Sequence, residues 1–167
     1  MSAKKSKGKG FEDLVADLIN DFLLENYPEY KENLKLNSDL RVKRNPNSGS
    51  TDSDDGDISL NLGKNLFPFS IECKKWDNLG ELNLKQILNP KMPLMVTYKL
   101  QCIPQANIKK LKPLLVFRGN RTPIFAFFQQ SRVEYKNLDK MEMLFKIPGD
   151  YYICLFEEFL KYYVKCN

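Results

Sequence analysis

The 167-residue chain contains no histidine, and its four cysteines, Cys73, Cys102, Cys154 and Cys166, include no CxxC pair. Without histidine there is no base for a Ser–His or Cys–His nucleophilic centre. Without a cysteine pair as well, no zinc site is expected. Scattered thiols of this kind read as reduced core residues of a cytosolic protein. No stretch approaches the ~20 consecutive apolar residues that a membrane span needs. The N-terminal lysines are followed by no apolar run, so no signal peptide is expected and the cytoplasm, or a host's cytoplasm for a viral protein, is the anticipated location. A strong charge imbalance is missing too. Lys and Arg number 26 against 21 Asp and Glu, and the net +5 permits a polyanionic partner without requiring one.

What is present suffices for one domain with a real core, expected over residues 11–167. Residues 1–10 carry Lys4, Lys5, Lys7 and Lys9 with two glycines and no acid. They read as a flexible basic arm, either a solvated tail or a phosphate contact. Phe11, Leu14, Val15, Leu18, Ile19 and Phe22 fall at helical spacing and predict a helix over Phe11–Glu25. Tyr30–Leu40 is polar and shows no clear period. Leu40–Arg44 alternates as a strand, and Arg44–Ser50 has the composition of a loop. Strands are expected at Asp57–Leu62 and Leu66–Lys74, close enough to form an antiparallel hairpin. A short helical piece follows at Leu84–Leu88, then a longer helix over Pro93–Lys110, kinked at Pro104. Leu114–Phe117 is apolar throughout, as in a central strand. Further strands are expected at Pro123–Phe128, Met143–Ile147 and Tyr151–Leu155, with a closing helix over Phe156–Val164. The aspartates between Thr51 and Asp57 do not form a calcium loop. Counted from Asp52, Asp57 falls where the loop needs glycine and Gly63 where it needs glutamate.

The chemistry concentrates around Asp57 and the stretch Ile71-Glu72-Cys73-Lys74. Phe69, Ile71 and Cys73 alternate with Ser70, Glu72 and Lys74, so Glu72 and Lys74 share one strand face. A neighbouring strand carrying Asp57 would bring two carboxylates and an ammonium to one point. Two carboxylates can share a divalent cation, and a lysine beside them can orient a water. An isolated ExK is more often a surface ion pair, so the surrounding motifs decide. In order they are Lys9-Gly10-Phe11-Glu12 on a helix, Arg44, Pro46, Ser48 and Gly49 in a loop, Gly56-Asp57 at a strand entry, and Glu72-Cys73-Lys74.

This ordered set resembles the PD-(D/E)xK nuclease superfamily, and within it the archaeal-type and phage Holliday junction resolvases. The likeness covers roughly residues 7–128, with an echo at Tyr151–Leu160. It includes Tyr98, Gln101, Gln105 and Ala106 ahead of Pro113-Leu114-Leu115-Val116-Phe117, with Gln101 matched to the family glutamine. Gly56 stands where the superfamily name has proline. The resemblance implies an α/β fold with a restriction-endonuclease-like core, a mixed central β-sheet flanked by helices. It also implies a Mg2+-dependent endonuclease, with Mn2+ able to substitute. Asp57, Glu72 and the Cys73 carbonyl would hold metal, with Glu12 reaching it directly or through water. Lys74 would position the attacking water, and Ser48 would touch the phosphate. Gln101 would belong to the catalytic set, while Arg44, Ser48, Ser50 and the lysines of the arm would contact DNA. A four-way junction as substrate and a homodimer are further implications. Three other readings stay open: a restriction or repair nuclease of the same fold, a non-catalytic DNA-binding module, and an interaction domain whose ExK is a surface ion pair.

Overall fold

The computed structural model describes residues 3–46, 56–61, 65–76, 93–133, 141 and 143–166, the side chains of 3–9, 143–144 and 164–166 excepted. Helix α1 (Ala3–Asn26) buries Phe11, Val15, Ile19, Phe22 and Leu23 along one stripe. It begins eight residues before the apolar stripe does, so the segment expected as a flexible arm is helical backbone from Ala3 onward. Lysine is a good helix former, and this segment has no proline to stop it. Pro28 follows the end of α1 and opens helix α2 (Pro28–Leu36) at its first turn, where its missing N–H costs nothing. That helix escapes the sequence reading because Tyr30 is its one buried residue and no apolar stripe marks it.

Both helices are tied to the next strand by one buried amide. Asn20 donates to the carbonyls of Ala16 (3.0 Å) and Val42 (2.7 Å), and accepts from the Tyr30 hydroxyl (2.7 Å) and the Val42 N–H (3.1 Å). This fixes the entry to β1 (Lys43–Arg44), shorter than the strand expected over Leu40–Arg44 because Ser38–Leu40 forms a 3-10 turn.

The main sheet has five strands: β3 (Phe69–Lys75), β4 (Lys112–Arg118), β5 (Phe125–Gln129), β6 (Met143–Ile147) and β7 (Tyr151–Leu155), in the order β3-β4-β5-β7-β6. β3 and β4 are parallel and the other pairs antiparallel, so the sheet is mixed. Between β3 and β4 lie helix α3 (Pro93–Thr97), a π-helical turn (Tyr98–Cys102) and helix α4 (Ile103–Lys109). The turn is the answer to Pro104. Proline lacks an N–H and crowds the carbonyl four residues back, and here the Ile103 N–H bonds the Tyr98 carbonyl five residues back. The piece expected at Leu84–Leu88 lies outside the described residues.

Two apolar layers sandwich the sheet. A short helix α5 (Gln130–Val133) follows β5. On one face α1 and helix α6 (Phe156–Cys166) pack onto Phe69, Ile71, Cys73, Leu114, Val116 and Phe128. On the other, Leu94, Tyr98 and Cys102 pack onto Leu115, Phe117, Phe127 and Ile153. The result is the mixed α/β sandwich that the resemblance implies. Cys73, Cys102 and Cys154 are free and buried, as read from their spacing. Among the described residues no helix is long and apolar enough to cross a membrane.

One topological expectation fails. Strand β2 (Ile58–Ser59) pairs antiparallel with β1, not with β3. Arg44 lies opposite Ile58 in that ladder, so the two form a small sheet of their own. The connection to β3 is a hydrogen bond from the Asp57 N–H to the Ile71 carbonyl, 2.9 Å. Proximity in sequence suggested a hairpin, whereas the long-range pairing with β1 wins.

Candidate active site

β3 is an edge strand of the main sheet, and its outer side carries the site. The register sets Glu72 opposite Leu115 and Lys74 opposite Phe117. Both charged residues therefore lie on the face covered by α3, the π turn and α4, while Ile71 and Cys73 face α1 and α6. Asp57 reaches the same edge from outside. Its Oδ2 accepts the Cys73 N–H at 2.7 Å, and the Asp57 carbonyl accepts from the Asn45 N–H at 2.8 Å. A strand residue sends its N–H and C=O to the same side, so the Cys73 carbonyl also leaves on the Asp57 edge. Lys74 Nζ bonds Glu72 Oε1 at 2.5 Å.

Gly56 makes this approach possible. A Cβ there would lie 2.8 Å from the Ile71 carbonyl oxygen, closer than side-chain carbon can sit against backbone. That contact accounts for glycine at the position where the superfamily name has proline. Asn45 supports the same loop, its Nδ2 lying 3.3 Å from the Gly56 carbonyl.

Both acids are buried, Asp57 at 7% and Glu72 at 6% exposure. Burial, and then the charge of Glu72, push the Asp57 carboxyl up to about 7, while the Cys73 N–H and Lys74 act the other way. Burial opposes the Lys74 ammonium, yet Glu72 and Asp57 outweigh it and hold its pKa above the ordinary value. The Cys102 thiol of the π turn is pushed well up by burial and by the nearby charge of Glu72.

Glu12 stands beside this group. Its charge contributes to the rise at Asp57, and its Oε2 lies 3.4 Å from Arg44 Nη1. Arg44 Nε is 3.9 Å from Asp13 as well. The guanidinium expected on DNA phosphates is thus engaged with the first exposed turns of α1. Gln101 is exposed on the π turn, while Gln105, one turn on, has its Oε1 buried. Ser48 and Ser50 lie outside the described residues, as do the side chains of Lys4, Lys5, Lys7 and Lys9. Asn45 and Cys102 were missed by the sequence reading. Asn45 sits inside the Arg44–Ser50 loop that was singled out, but nothing in the pattern marks it as the residue that anchors the strand entry.

Among the described residues no three His, Cys, Asp or Glu side chains gather into a metal cage. A cation would rest on Asp57, Glu72 and the Cys73 carbonyl. This donor set fits Mg2+ or Mn2+, hard ions that accept one or two carboxylates and complete their shell with water and phosphate. Burial and then repulsion from Glu72 raise Asp57, and a divalent ion would relieve the repulsion.

No curated protein and no solved structure matches the chain. A family model does match, over residues 3–164, and its description is "Phage putative PDDEXK endonuclease". The matched span includes Glu12, Asp57, Glu72 and Lys74 and nearly the whole chain, so the protein belongs to this family of phage PD-(D/E)xK endonucleases.

Proposed function

We propose that the protein is a metal-dependent DNA endonuclease that cuts at branched DNA, with four-way junctions as the preferred substrate. The observation that carries the chemistry is the hydrogen bond from the Cys73 N–H to Asp57 Oδ2, which holds one acid against the strand that bears Glu72 and Lys74. Asp57, Glu72 and the Cys73 carbonyl would hold Mg2+, which when bound acidifies a water and neutralises charge on the scissile phosphate. Lys74, kept protonated by Glu72 and Asp57, orients the attacking water and offsets negative charge as it develops on the phosphate. Glu12 adds a third carboxylate that reaches the ion directly or through water. Ser48 contacts the phosphate and Gln101 completes the catalytic set. Ser50, Arg44 and the lysines at the start of α1 grip the backbone without reading bases. The location is the cytoplasm, of a host for a phage protein. A homodimer would present two such sites to the two symmetric strands of a junction.

Junction preference rests on the resemblance of the Lys9–Glu12 and Arg44–Gly49 motifs to resolvases. The test is a panel of four-way junction, flap, duplex and single-stranded DNA, assayed with and without Mg2+ at two salt concentrations. Cutting is expected to be Mg2+-dependent and fastest on the junction, with binding that weakens steeply as salt rises. Equal rates on all four would leave a nuclease without structure selectivity. Binding without cutting would make it a DNA-binding module.

A further inference from the structure

A cleft of about 330 Å³ opens beside the acids, between β2 and the end of α4, lined in part by Ser59, Leu60, Phe69, Ser70, Lys109 and Leu111. Its size is at the lower end of ordinary small-ligand sites. It continues the active site along β3. Ser70 precedes Glu72 by two residues on the same strand face, about 7 Å at ~3.3 Å per residue. β2 follows Asp57 directly. α4 begins directly after Cys102 of the π turn, which lies near the acids, and ends at Lys109, which lines the cleft.

The lining is of two kinds. Leu60 and Leu111 offer an apolar wall, whereas Ser59, Ser70 and Lys109 offer hydroxyls and a cation. Ser70 is 3% exposed, and its Oγ has no hydrogen-bond partner among the described residues. A buried polar atom left unpaired is uncommon and costly, and one in the wall of a cleft points to a ligand that satisfies it. A ligand suited to apolar walls, hydrogen-bonding groups and a cation has a flat ring with polar edges and an anionic group.

We propose that the cleft is a nucleotide subsite. It receives an unpaired nucleotide of the strand held at Asp57 and Glu72, its base against Leu60 and Leu111 and its phosphate near Lys109. The place of that nucleotide on a cut strand rests on the nuclease reading above. Unpaired bases enter such a site most cheaply, because no stacking or pairing is broken for them. The subsite therefore favours DNA with unpaired nucleotides next to the cut, as at the crossover of a branch.

The test is thymidine 5′-monophosphate titrated into the metal-free protein, read by amide chemical shifts. The variants are Ser59→Trp, which fills the cleft, and Lys109→Glu, which reverses its charge at the partly exposed end of α4 and guards against misfolding of the first. Shifts at Ser59, Ser70, Lys109 and Leu111 are expected, with affinity reduced about tenfold or more in either folded variant. Shifts absent from these residues, or equal affinity in both variants, overturn the subsite. Since no metal and no cutting enter this binding test, a protein that binds the nucleotide yet cuts no DNA keeps the subsite and loses the nuclease. One that cuts DNA with silent cleft amides does the reverse.

Discussion

At the scale of single residues, Asp57 carries the largest consequence. Its carboxyl titrates at about 7, against an ordinary 3.8, because it is buried beside Glu72. A group whose folded pKa is raised adds stability at low pH and loses that contribution as pH climbs. The metal-free protein should therefore draw full benefit from Asp57 below about pH 4, and the benefit should be gone above about pH 7. A divalent cation relieves the repulsion only when both acids are ionised. Mg2+ should then raise the melting temperature little at about pH 5 and clearly at about pH 8. Calorimetry at the two pH values checks this, and an upshift that is equal at both, or larger at the lower one, contradicts it. Glu72 and Lys74 are legible as a pair in the sequence because strand alternation alone puts them on one face. Asn45, Ser70 and Cys102 are not, since their importance lies in which backbone or charge they meet after folding.

At the scale of elements, the site depends on how closely the strand entry at Asp57 can approach β3. Gly56 is the point of closest contact, with the Ile71 carbonyl where its Cβ would be. Gly56→Ala should push the entry outward, cost about 1–3 kcal/mol and lengthen the Asp57 bond to Cys73. Urea unfolding measures the first effect and loss of cutting the second. Unchanged stability and activity would mean that the approach is not the constraint described. The same element shows where sequence patterning runs out. Apolar runs announced β4, β5 and β7 because burial on both faces leaves a composition that nothing else explains. β1 and β2 are two-residue ladders held by a partner elsewhere in the chain and by the Asn20 network, so their pairing has no local signature. Pro104 signalled a disturbance in its helix, but the form it took, a π turn that sets Cys102 near the acids, follows from packing on β3 and β4.

At the scale of the whole molecule, a mixed sheet between two helical layers leaves the outer edge of β3 unpaired by the main sheet, and Glu72, Lys74 and, from the neighbouring strand entry, Asp57 gather there. The α/β class was readable from strands interleaved with helices and from the motif order, and the family match covers the same stretch. The lysines of α1 continue a helix whose Glu12 stands beside Asp57, so the phosphate-gripping and metal-facing groups would share one rod. The most direct measurement is single-turnover cleavage of a labelled four-way junction by the wild type, by Asp57→Asn and by Glu72→Gln, in Mg2+ and in chelator. The account predicts cutting by the wild type in Mg2+ alone and a loss on the order of a thousandfold in each variant, since each removes an acid that holds the ion. Cutting that survives chelation, or that persists unimpaired in both variants, would contradict it.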